Sequence, residues 1–118
     1  MLLYHFTARE YLPAIRKQGL LYGDVPTSPT GGFNAPWLTS SPEVGQQTVW
    51  SLGSAYNKTG VRLTVDVPHG DPKLHSWLAW AAANEVPNWW LKALDSSPHW
   101  YIYTGQIPAN WIVDEVYL

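Results

Sequence analysis

Cysteine is absent from the chain, which removes disulfides and thiolate metal sites and fits a reducing compartment. Charge is scarce as well. Seven basic and nine acidic residues leave a formal net charge of −2, so no basic footprint points to nucleic acid through its phosphates, although a local groove can still hold it. No apolar run approaches the roughly 20 residues of a membrane helix. The opening residues also lack the basic stretch and small-residue cleavage site of a signal peptide. The expectation is a cytoplasmic protein with no membrane partner. His69, His75 and His99 share no ligand spacing such as H-E-x-x-H, so no metal site is expected. No G-x-S-x-G occurs, which argues against a serine nucleophile. Gly31-Gly32 is not followed by GK[ST], which argues against a phosphate loop.

What is present is aromatic. Eight tryptophans, seven tyrosines and ten prolines in 118 residues point to a small core filled with large rings, or to a groove lined with them. The length predicts one domain over residues 1–118, large enough for a core and too small for a second. No internal repeat or low-complexity segment interrupts it.

Residues 2–7, LLYHFT, read as a β-strand. Alternation puts Tyr4 and Phe6 on one face, and Leu3, His5 and Thr7 on the other. Thr7 and Glu10 have the spacing of a capping box, and Gly19 is a helix stop. Pro13 gives a loose first turn and then a regular helix to Gln18, with Tyr11, Leu12 and Ile15 facing inward and Arg16 outward. His5 therefore sits two residues before a helix start, where polar side chains can meet an anionic ligand. Residues 22–34 lose all periodicity and read as a long functional or mobile loop. A short strand at 35–40 and a capped helix at 41–52 follow.

The clearest strand spans 61–67, with Val61, Leu63, Val65 and Val67 inward and Arg62, Thr64 and Asp66 outward. Residues 74–83 and 87–94 read as helices. Trp89 and Trp90 are adjacent and cannot share one helix face, so one of them is expected at the surface. Strands at 99–104 and 111–117, separated by a turn, complete the chain, and Glu115 reads as a strand-edge charge. The predicted core is Tyr4, Phe6, Ile15, Val61, Leu63, Val65 and Ile102. This order is not βαβα. It predicts an α+β fold: a split, mostly antiparallel, twisted sheet of roughly five or six strands with helices grouped around it.

Tyr4-His5-Phe6-Thr7, followed by Leu12-Pro13-x-Ile15 and Gly19-Leu20, resembles the opening of ADP-ribosyltransferase-fold proteins. The nearest patterns are the DarT-type DNA ADP-ribosyltransferase toxins and the RNA 2′-phosphotransferases. Trp37-Leu38-Thr39 is similar to their second strand. Gly105-x-Ile107-Pro108-x-x-Trp111-Ile112 is similar to the closing turn and strand of DarT-like domains.

The resemblance implies a cleft for NAD, as substrate, between two halves of a split sheet, with nucleic acid or protein as acceptor. His5 would donate to the nicotinamide-side ribose, and Thr7 would help fix the nicotinamide or ribose. Arg62 or Arg9 would meet the pyrophosphate. Tyr22, Trp37, Tyr101 and Tyr103 are candidates to clamp the nicotinamide, and Thr39 lies on the matching second strand. The assigned catalytic set is His5, Thr7 and Arg62. Cleavage of the N-glycosidic bond passes through an oxocarbenium-like state that a carboxylate stabilises. The glutamate expected for that task in DarT-like enzymes falls at about Trp100. No Glu lies between Glu85 and Glu115, and the acids there are Asp95 and Asp114. The alternative expectation is a degenerate nucleotide-binding module, or an inhibitor-like protein that binds through exposed aromatics.

Overall fold

The computed structural model describes residues 1–28, 30–43, 60–94 and 98–118. The predicted helix at 41–52 and Asp95 lie largely or wholly outside these residues. Among the described residues, six strands form one sheet in which every pairing is antiparallel. β1 (Leu2–Thr7) is central, between β4 (Trp37–Thr39) and β5 (Val61–Asp66). Beyond β4 lie β7 (Trp100–Tyr103) and then β6 (Leu74–Ser76), and beyond β5 lies β8 (Ile112–Tyr117). β2 (Asp24–Pro26) and β3 (Gly32–Asn34) form a separate two-stranded ribbon. The helices among the described residues are short: α1 (Leu12–Gln18), α2 (Trp77–Ala83) and α3 (Asn88–Ala93). None is long and apolar enough to cross a membrane. The α+β class and the antiparallel sheet are as the sequence predicts.

Strand register decides the two faces. Opposed residues of an antiparallel pair project to the same side. Leu3, His5 and Thr7 oppose Val65, Leu63 and Val61, so all six share one face. Leu12 and Ile15 of α1, with Leu20 and Ile107, cover that face in one apolar cluster. Tyr4 and Phe6 oppose Thr64 and Arg62, so they lie on the other face and are only half-buried. The predicted core is corrected here. Three small β-branched or aliphatic residues on β5 pack under α1 with Leu3, and there is no place among them for the two rings.

Ile102 belongs to a second cluster, built on the opposite face from Val25, Ala35, Trp77, Ala81, Val86 and Trp100. A chain of rings runs through it. Phe33 meets Trp80 at 5.4 Å, Trp80 meets Trp77 at 6.0 Å, Trp77 meets Trp37 at 5.2 Å and Trp37 meets Trp100 at 5.8 Å. Trp37, Trp77, Trp80 and Trp100 thus fill the core on one face of the sheet.

Three local expectations change. Residues 74–83 divide into a strand and a helix, because Leu74, His75 and Ser76 pair with Tyr103, Ile102 and Tyr101 before α2 begins. Residues 22–34 hold the β2–β3 ribbon. Asn34 closes it by accepting from the Gly23 amide and donating to the Leu21 carbonyl. Trp90 donates to the Pro26 carbonyl at 2.9 Å, which ties the ribbon to α3. Trp89 is the exposed member of its pair. Finally, no capping box forms. A 3₁₀ turn at Arg9–Tyr11 precedes α1 without a side-chain cap, and Tyr11 is exposed.

The stop at Gly19 stands. Its φ is +76°, and a Cβ there would lie 1.9 Å from the Ile107 carbonyl oxygen. Only glycine allows this close approach. It lets Leu20 and Ile107 exchange two backbone hydrogen bonds of 2.9 and 3.0 Å, docking the end of α1 on the turn before β8.

α1 is also pinned to β8 from outside. Arg16 grips Glu115 with two hydrogen bonds of 3.1 and 2.7 Å and donates to the Tyr117 hydroxyl, while Arg9 lies over the Tyr117 ring. The Arg16 hydrogen bonds hold the Glu115 carboxyl below its ordinary value. A depressed carboxylate contributes stability above its unfolded value of about 4.3, and that contribution is lost as pH falls through the lower folded value. Glu115→Gln is therefore expected to reduce stability slightly at neutral pH and to match the parent in acid, once pH lies below the lowered folded value. Urea titrations at both pH values check this. A Glu115→Gln deficit that persists in acid would contradict it.

Candidate functional site

The two halves of the sheet meet at β1 and β4. β1 pairs with β5 through six residues but with β4 through one, Tyr4 opposite Thr39. Past that pair the ladder stops. His5 Nδ1 donates to the Trp37 carbonyl at 2.7 Å, taking an acceptor on the facing strand. A carbonyl can only accept, so Nδ1 carries a proton in this bond. His5 is half-buried.

Register distributes the other candidates. Leu38 and Ser76 oppose Tyr101, and Leu74 opposes Tyr103. Tyr101 and Tyr103 therefore lie on the α1 face, with His5 and Thr7. Trp37, Thr39 and Arg62 lie on the other face. His5 and Arg62, assigned to one catalytic set, therefore lie on opposite faces, by the same inversion that moves Tyr4 and Phe6. His5 opposes Leu63, one residue out of phase with Arg62.

Several candidates are already committed. Tyr103 is buried, stands edge-on to Trp111 at 5.9 Å and donates its hydroxyl to Asp71 at 2.8 Å. Burial first, and that bond second, push its phenol up to about 12. It therefore serves as a neutral structural donor. Arg62 donates to the Pro42 carbonyl at 3.0 Å and lies 5.7 Å from the Tyr4 ring centre, while its Nε is buried without a hydrogen-bond partner. Arg9 is spread over Tyr117. Tyr22 is 76% exposed. Thr7 and Thr39 are buried, and Thr39 accepts from the Ser41 amide at 3.1 Å.

Trp100, at the place of the expected glutamate, is buried in the second core on the face away from Tyr101. What the structure gathers at the β1–β4 division is therefore His5 and the Trp37 backbone, with Leu38 and half-buried Tyr101 next along the same face.

Two contacts escaped the sequence reading. Asp71 lies in the turn sequence Pro68-His69-Gly70-Asp71-Pro72, and nothing local marks it as the partner of Tyr103. Ser40 and His99 meet one step beyond the Thr39–Trp100 pair. The alternation of 37–40 against 99–103 contains that meeting, but only once the two strands are paired. No protein-family model matches the chain, and neither a curated protein nor a solved structure matches it.

Proposed function

We propose that this chain is a small ADP-ribosyltransferase-like protein that takes NAD, or an ADP-ribose-type nucleotide, at the β1–β4 division around His5. The observation that carries the reading is the single residue pair joining the two halves of the sheet, with the His5 ring bonded across the gap it leaves. The resemblance implies a split sheet with a cleft, and the His5 ring stands where β1 and β4 keep one pair. In this role His5 Nε2 accepts from a ribose hydroxyl, because Nδ1 is already the donor to Trp37. Tyr101 is the clamp candidate on the same face. The Trp37 ring, fixed between Trp77 and Trp100, lies on the other face, so Trp37 enters the site through its backbone carbonyl.

The same geometry favours binding over rapid turnover. No glutamate stands at the Trp100 position, and the Glu115 carboxylate is neutralised by Arg16. The oxocarbenium-like state thus lacks a free carboxylate among these groups. Acceptors in this reading are nucleic acid or protein. Incubation with NAD is expected to release nicotinamide slowly or not at all. Robust release that survives loss of both Asp95 and Glu115 would overturn the claim that a missing carboxylate limits the chemistry.

A second reading rests on Trp89. Its ring is 61% exposed beside the anchored Trp90, which suits a protein-interaction or inhibitor-like module.

A further inference from the structure

We infer that Ser40 and His99 form a nucleophile–base pair, a site separate from the β1–β4 division and independent of the NAD reading. Ser40 Oγ lies 2.8 Å from His99 Nδ1, within the reach required of a serine and its general base. The pair is built by the sheet. Ser40 and His99 continue the β4–β7 ladder by one step, and the Ser40 amide donates to the His99 carbonyl at 2.9 Å. Opposed residues of an antiparallel ladder carry their side chains on one face, so the backbone holds hydroxyl and imidazole side by side. The neighbouring residue is also fixed, since the Ser41 amide donates to Thr39 Oγ1 and Ser41 Oγ accepts from the Glu43 amide. Both Ser40 and His99 are exposed residues.

The sequence expectation against a serine nucleophile rested on the missing G-x-S-x-G elbow, whereas serine–histidine arrangements are defined by geometry rather than by sequence position. In the tautomer with its proton on Nε2, His99 Nδ1 accepts the Ser40 hydroxyl proton as Oγ bonds to an electrophilic carbonyl carbon. The carbonyl then re-forms and expels the leaving group with its electron pair, leaving an acyl ester on Ser40. The substrate class is a small activated acyl ester.

The test uses the whole chain and p-nitrophenyl acetate. p-Nitrophenolate release is followed by absorbance, and the acetylated residue is located by peptide mass spectrometry. The expected result is one acetyl group per chain, on Ser40, formed at least ten-fold faster than on the unfolded chain in urea. Ser40→Ala should abolish that label. His99→Gln should slow it at least ten-fold while circular dichroism shows the fold retained. Because a removed strand-end contact can unsettle the fold, His99→Asn is assayed beside it, and either folded variant suffices. Acetylation spread over lysines and the N-terminus, or Ser40 acetylation at an unchanged rate without His99, would overturn the proposal.

Discussion

Replacing Trp100 with glutamate is expected to unfold the domain at neutral pH. The ring is 4% exposed and packs edge-on against Trp37 at 5.8 Å. Its loss alone costs about 3–5 kcal/mol, as for other buried tryptophans and phenylalanines. A carboxylate left in its place without a partner costs several more. Domains of this size are stable by only about 5–15 kcal/mol in total. The burial would raise the folded-state value of the new carboxyl above its unfolded value, so the penalty is greatest above both and eases as pH falls. Urea denaturation of Trp100→Glu beside Trp100→Phe, at neutral and acid pH, measures it. The consequence is functional: the carboxylate missing from this position cannot be restored by substitution, because the position is core. A folded Trp100→Glu variant that gains NAD cleavage would show the contrary, an intact site that had merely been disarmed.

The second large effect is expected at Trp77. It is fully buried and central in the chain of rings, stacked with Trp80 and edge-on to Trp37. Trp77→Ala should lower stability by about 3–5 kcal/mol. It should also disturb Trp37, whose carbonyl accepts from His5. The near-ultraviolet circular dichroism of the aromatic residues should therefore fall in variant molecules that remain folded. A loss below about 1 kcal/mol would mean that the second core does not depend on this ring.

The elements best read from the sequence are those with local, one-residue causes. Val61, Leu63 and Val65 alternate with polar neighbours and form β5 with the expected inward side. Gly19 ends α1 because its backbone angle and the Ile107 carbonyl leave no room for a Cβ. Residues 74–83 depart from the single helix that their sequence predicts, for a matching reason. Leu74-His75-Ser76 has no strong strand signal, and it becomes a strand only by pairing with Tyr101–Tyr103 from far along the chain.

The faces of β1 were the harder problem. Every residue from Leu2 to Phe6 has an apolar or ambivalent side chain, so alternation alone does not choose a side. Register with β5 chooses it, and the choice separates His5 from Arg62. His5 itself was legible as a strand histidine near a helix start, but its bond to Trp37 was not. That bond depends on β4 departing from β1 after one pair.

Calorimetric titration with NAD of the parent chain and of His5→Ala bears most directly on the proposed site. The account predicts measurable binding by the parent. It also predicts binding about five-fold weaker in the variant, the effect of about 1 kcal/mol for one hydrogen bond, with a proportionally smaller change in melting behaviour. Equal affinity in the two folded proteins, or no binding by the parent, would remove the nucleotide site from the β1–β4 division.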